Sequence, residues 1–142
     1  RAADNPFVDK TPYGWVIDPV GLRLTLRKVC ERYHLPILIT ENGIGAPDTL
    51  LPDGSVNDDY RMTFMRQHIE QMQLAINDGV ALIGYCPWAA IDVVSTHQGY
   101  AKRYGFIYVN RGEKDLMDLR RIRKNSFGWY QRVIASNGVQ RD

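Results

Sequence analysis

Glu41 is the side chain of this sequence best placed for chemistry, because of what precedes it. The run Leu35-Pro36-Ile37-Leu38-Ile39-Thr40 is opened by a proline and closed by Glu41-Asn42-Gly43. Short aliphatic runs of this kind are strands buried on both faces in a parallel sheet. Glu41 then lies at the carboxyl end of the strand. On that rim of a parallel α/β barrel, side chains leave the packed interior and meet the loops that hold substrate. A carboxylate there is either a reacting group or a turn residue held by neighbouring backbone N–H groups. The three histidines, His34, His68 and His97, stand far apart, and no cluster has metal-ligand spacing. His97 and Gln98 fall in a later rim loop and are further candidates to approach a ligand.

The elements that must position Glu41 can be read from periodicity and caps. Residues 1–15 hold Pro6, Pro12 and Gly14 without a sustained period and read as irregular loop. Asp18-Pro19 starts a helix in which Leu22, Leu26, Val29, Cys30 and Tyr33 share one face, ending near His34. After the Glu41 strand, residues 44–55 form a loop. Asn57 or Asp58 caps a second helix with a Met65, Ile69, Met72, Ile76 stripe, stopped at Asp78-Gly79. His68 and Glu70 on it read as solvated. A second doubly buried strand spans Val80 to Cys86, ended by Pro87. Tyr104 to Val109 reads as one arm of a hairpin, and Phe127, Tyr130 and Ile134 mark a last helix stopped by Asn137-Gly138. Helix, strand, helix, strand makes two units of a β/α barrel.

Composition narrows the function classes. The 142 residues suit one domain, and a net charge of +2 points to neither a nucleic-acid partner nor an acidic surface. No signal peptide or membrane-spanning run is present; the longest apolar stretch, Val80 to Cys86, is too short. The chain opens on Arg1 and not on methionine, which leaves room for an amino-terminal segment upstream. Cys30 and Cys86 lack CxxC spacing and fall among apolar residues, so they read as buried free thiols in a reducing compartment. Arg120, Arg121, Arg123 and Lys124 read as a solvated basic face near a helix start.

Thr40-Glu41-Asn42-Gly43 after an aliphatic strand resembles the nucleophile strand of glycoside hydrolase family 1, the retaining β-glycosidases. Trp15-Val16-Ile17-Asp18-Pro19-Val20-Gly21-Leu22-Arg23 is similar to the segment before that strand. Gly79 to Trp88, Arg103-Tyr104-Gly105-Phe106 and Ser126 to Gly138 are similar to the eighth strand, its following loop and the last helix, in family order. The resemblance covers nearly the whole chain. It implies that residues 1–142 are the carboxyl-terminal part of a (β/α)8 TIM barrel, its last two β/α units, within one glycosidase domain.

The same resemblance gives Trp88 a role as floor for the sugar; the plainer reading is a plug in the barrel mouth. Ordinary family members carry a glutamate seven residues after this tryptophan and a second tryptophan beside it, which grip the sugar's 4- and 6-hydroxyls. Here those positions are Ser95 and Thr96. A carboxylate at position 95 would repel a phosphate on the 6-oxygen, whereas a serine hydroxyl can donate to it. Lys102 and Tyr104 follow seven and nine residues later, in the register of the phosphate clamp of the 6-phospho-β-glycosidase branch. Galactoside enzymes of that branch tend to carry tryptophan after the serine, so Thr96 resembles the glucoside type. Ala89 and Ala90 depart from the branch's usual residues after Trp88, and both are small. Asp92 matches a family position that reads as structural.

The resemblance implies retaining hydrolysis of β-D-glucoside 6-phosphates, in the cytoplasm, without metal or organic cofactor. Glu41 matches the nucleophile. A retaining glycosidase needs a second carboxyl group about 5–5.5 Å away as acid and base. The family supplies it from an Asn-Glu pair, which this sequence lacks; Glu31, Glu70 and Glu113 lie on helices or a loop. The isolated chain is therefore expected to be inactive, its partner being the missing barrel portion or a second copy that buries the open sheet edges. A 6-phospho-β-galactosidase, a non-catalytic sugar-phosphate binder and a structural fragment are the alternatives.

Overall fold

A computed structural model describes residues 5–140. The helix α1 (Pro19–Tyr33) starts where Asp18 Oδ1 accepts from Gly21 N at 2.8 Å, with Pro19 in the first turn. It ends at His34, whose left-handed φ of 54° lets its N–H return to Cys30 O at 2.9 Å. The strand β1 (Ile37–Asn42) follows, then α2 (Asp59–Asn77) and β2 (Leu82–Pro87). β1 and β2 pair in parallel, from Ile37 opposite Leu82 to Asn42 opposite Pro87, so β1-α2-β2 is one crossover unit. β3 (Ile107–Val109) and β4 (Arg121–Arg123) form the expected hairpin, shorter at its start than Tyr104, and α3 (Asn125–Ala135) closes the chain.

Two apolar clusters hold these layers. Leu26, Ile39, Met72, Ala75 and Val80 join α1 and α2 to the parallel strands. Ile44, Phe64, Met65, Phe106, Trp129 and Val133 join α2, α3 and the segment leading into the hairpin. Only one face of the two-stranded sheet is covered. Ile39 is buried, but Leu38 is 49% and Ile83 70% exposed, so the expected double burial fails among the described residues. Both helices lie on the side of Ile39, which leaves Leu38 open on the other face; Ile83 is exposed on the helix side, in a groove with Ile69, Ile76 and Ile134. Val29 and Tyr33, expected on the packed face of α1, are also exposed, because the contact with α2 takes only Leu22, Leu26 and Cys30.

Three further expectations are corrected. His68 is buried, stacked on Phe64 at 3.9 Å with Nδ1 against Phe64 O at 2.7 Å, and burial lowers its pKa. Cys86 is exposed and Cys30 only half-buried, since Cys86 stands near the rim where β2 leaves the packed layer. Lys124 is not part of a solvated face: its Nζ donates to Asp48 Oδ2 at 2.6 Å and Asp92 Oδ1 at 2.7 Å, all three side chains being essentially inaccessible. Arg120, Arg121 and Arg123 are exposed as expected.

The Lys124 bridge belongs to a polar core that fixes the rim loops. Asp92 also accepts from Gly105 N at 2.9 Å, which makes it the structural residue its position suggested. Arg61, buried on α2, donates to Ile44 O at 2.8 Å, Tyr104 O at 2.6 Å and Asp58 at 2.9 Å. Asp58 therefore spends its carboxylate on Arg61 and Ser126 and makes no side-chain cap; Asn57 accepts from Asp59 N instead. Pairing of this kind offsets the desolvation of these buried charges. Replacing Lys124 with Met leaves two buried carboxylates without their shared cation. Urea unfolding should show a loss of about 3–5 kcal/mol, the cost of breaking a buried ion pair from one side; an unchanged midpoint would contradict the bridge.

Candidate active site

The ends of β1 and β2 are tied together at the rim. Trp88 N donates to Asn42 O at 2.9 Å, and the Tyr85 hydroxyl donates to Asn42 Oδ1 at 3.0 Å. Burial raises the Tyr85 pKa far above the usual phenol value, which keeps it a neutral donor. Asn42 thus supports strand-end geometry and leaves Glu41, next to it, exposed. The two strand ends approach so closely that a Cβ on Gly43 would lie 2.1 Å from Trp88 O. Only glycine fits there.

The chain after Glu41 then runs against residues 102–104. Ala46 and Arg103 exchange both backbone hydrogen bonds, at 3.1 and 2.9 Å. Alternation along an extended segment puts Lys102 and Tyr104 together, on the side away from Arg103. A Cβ on Gly45 would meet Lys102 Cε at 2.4 Å and Tyr104 Cε1 at 2.7 Å, so the glycine makes room for both. Arg103, pointing elsewhere, donates to Val109 O at 2.9 Å and Arg111 O at 2.5 Å.

Ser95 completes the group from the loop after Trp88. Its Oγ accepts from the Tyr104 hydroxyl at 3.0 Å and from Gln98 N at 3.3 Å. With both lone pairs engaged, the serine hydrogen is free to donate to an anion. Lys102 is only 2% exposed, and its Nζ stands 3.2 Å from the Trp15 ring centroid, 4.9 Å from Tyr13 and 5.3 Å from Tyr104. Among the described residues no ion pair joins it to a carboxylate. A desolvated ammonium held by aromatic faces is a strong attractor for an anion.

Glu41, Trp88, Ser95, Lys102 and Tyr104 all line one cleft of about 540 Å³, together with Tyr13, Trp15, Gly43, Thr96, His97 and Gln98. That volume suits a small-molecule site. Trp88 is 43% exposed and meets Tyr104 edge-on at 6.4 Å. Every residue singled out for the site is brought together, and Glu41 is the one carboxylate among the lining residues. Tyr13 and Trp15 were missed as site residues, since residues 1–15 read as loop. Thr11 Oγ1 accepts from both Tyr13 N and Trp15 N, a turn closed by Gly14 at φ 78° that turns two aromatic rings toward the lysine. The signal available in sequence was an aromatic pair flanking a glycine.

The described residues contain no group of three or more His, Cys, Asp and Glu able to hold a metal ion, and no helix is long and apolar enough to cross a membrane. Chemically, the cleft offers a carboxylate on an open rim, aromatic walls, and an anion seat made of a hydroxyl, an ammonium and a phenol. This is an arrangement for a polar ring compound with one negatively charged end.

Comparison with known proteins points the same way. The sequence model of Glycosyl hydrolase family 1 matches residues 1–139. Aryl-phospho-beta-D-glucosidase BglC of Bacillus subtilis (strain 168) is 53% identical over 138 residues, 97% of this chain and 29% of that protein. 6-phospho-beta-glucosidase AscB of Escherichia coli (strain K12) is 47% identical over 139 residues, again 97% of this chain and 29% of the relative. Among solved structures, a family 1 β-glucosidase from Thermotoga maritima in complex with isofagomine lactam superposes with a TM-score of 0.86 at 38% identity, over 96% of this chain and 30% of that one. The chain spans under a third of the length of these curated relatives.

Proposed function

The chain belongs to glycosyl hydrolase family 1, and from that premise we propose that it supplies the nucleophile and the sugar-phosphate pocket of a retaining 6-phospho-β-glucosidase. Its solved neighbours are TIM barrels. In this reading residues 1–142 are the last two β/α units at the carboxyl end of such a barrel, within one domain. The open face at Leu38 and the groove at Ile83 are where the remaining barrel, or a complementing chain, would pack. The substrate is a β-D-glucoside phosphorylated on its 6-oxygen, met in the cytoplasm after uptake; no nucleic acid or membrane takes part.

The observation that carries the reading is the convergence of Ser95, Lys102 and Tyr104 in the cleft that also holds Glu41. The phosphate accepts from the free serine hydrogen and the Lys102 ammonium, and the Tyr104 phenol orients the serine through their 3.0 Å bond. Trp88 lies under the sugar. With the charged end fixed, the Glu41 carboxylate attacks the anomeric carbon while the leaving oxygen takes a proton from an acid that these 142 residues do not contain. Water, deprotonated by that same group, then displaces Glu41 from the anomeric carbon and restores the β-configuration. Thr96, where a tryptophan would suit a galactoside, favours the glucoside.

The test is a comparison of an aryl β-glucoside 6-phosphate with the unphosphorylated glucoside, using the complete enzyme. The phosphorylated substrate should be strongly preferred. Lys102→Met should raise its KM by roughly tenfold or more, the worth of one charge-assisted contact of about 1.5–3 kcal/mol. Equal kcat/KM for the two substrates in the unaltered enzyme would overturn the proposal.

A further inference from the structure

The loop that carries Ser95 is itself held from outside the cleft. Residues 95–99 close on themselves, Ser95 N donating to Gly99 O at 2.9 Å and Gly99 N to Ser95 O at 3.1 Å. The next residue, Tyr100, is gripped by the connection between β3 and β4, residues 110–120. Glu113 Oε2 accepts from Tyr100 N at 2.7 Å. Arg111 lies 3.9 Å over the Tyr100 ring and donates to its hydroxyl at 3.0 Å. The carboxylate is seated so closely on the turn that a Cβ on Gly99 would fall 2.0 Å from Glu113 Oε1. Arg103, between the two clamp residues Lys102 and Tyr104, donates to Arg111 O and ties the same connection to the other half of the seat.

We infer that Glu113 is a positioning residue for phosphate recognition: it fixes the 95–99 turn, and through it the aim of the Ser95 hydroxyl, so that the hairpin connection helps to select phosphorylated over plain glucosides. The inference rests on the phosphate reading of the cleft. Glu113 does not line the cleft, so its charge is spent on the Tyr100 N–H and not set against the incoming anion. An exposed carboxylate that only solvated the hairpin would have no reason to sit against a glycine with a φ of 59°.

The experiment uses the complete enzyme with an aryl β-glucoside 6-phosphate and its unphosphorylated counterpart. Glu113→Ala should lower kcat/KM for the phosphorylated substrate by about tenfold, mostly through KM, the lower end of what a charge-assisted hydrogen bond supports. The plain glucoside should change by less than about twofold, and Glu113→Gln, which keeps an acceptor, should recover most of the loss. Gly99→Ala should reproduce the same selective defect by forcing the carboxylate off the turn. An equal loss on both substrates, or none on either, would overturn the inference. If the unaltered enzyme shows no preference for the phosphorylated substrate, the phosphate reading fails and the inference falls with it; a preference undiminished in Glu113→Ala sinks the inference alone.

Discussion

Glu41→Gln in the complete enzyme should remove turnover of an aryl β-glucoside 6-phosphate almost entirely, by about 10⁴-fold or more, as loss of a group that acts as one unit with its partners does. Substrate binding should survive, because the anion seat lies in the loop after β2 and does not use the carboxylate. Glutamine keeps the size and the hydrogen-bonding reach of glutamate but cannot form the ester to the anomeric carbon. A 2-fluoro glucoside 6-phosphate should leave a covalent label on Glu41 in the unaltered enzyme, detectable by peptide mass spectrometry. Absence of label there would reduce the protein to a sugar-phosphate binder, and full activity in the glutamine variant would take the nucleophile role away from Glu41.

Ser95→Glu should reverse the substrate preference. Ser95 is 7% exposed, and the change removes the donor that Tyr104 and Gln98 leave free for the phosphate and puts a carboxylate close to the bound dianion. Like charges set together in a desolvated site cost several kcal/mol, so kcat/KM for the phosphorylated glucoside should fall by on the order of a thousandfold. Plain glucosides should lose little or gain, since a carboxylate can accept from the sugar's hydroxyls. Steady-state kinetics on the pair of substrates reads the effect. An unchanged ratio would remove the serine from the seat.

The parts of the molecule legible in sequence are those governed by local rules. Asp18-Pro19 fixes the start of α1 through one cap and one preset φ, and Asp78-Gly79 ends α2 with a glycine at φ 96°. The grouping of the candidate residues in one cleft was legible because they keep a fixed register: the strand that ends in Glu41, the tryptophan after the second strand, and three polar residues spaced along its loop. What sequence hid depends on long-range partners. Nothing in the run Arg120 to Lys124 marks the last cation as different, yet Asp48 and Asp92, 76 and 32 residues away, bury it. His68 has the helix position of a solvated residue and is covered by Phe64. Aliphatic strands announce burial on both faces, but one face here stays open, because the sheet has two strands and its helices share a side. Tyr13 and Trp15 enter the site through a turn whose geometry rests on Thr11 and Gly14, a detail that periodicity does not carry.

The most direct test is a crystal structure of the complete enzyme, as the Glu41→Gln variant, with glucose 6-phosphate bound. The phosphate oxygens should lie about 3 Å from Ser95 Oγ and Lys102 Nζ, within hydrogen-bond range, with the ring over Trp88 and its anomeric carbon facing the side chain at position 41. A phosphate seated elsewhere, or a ring turned so that its anomeric carbon points away from that side chain, would contradict the account.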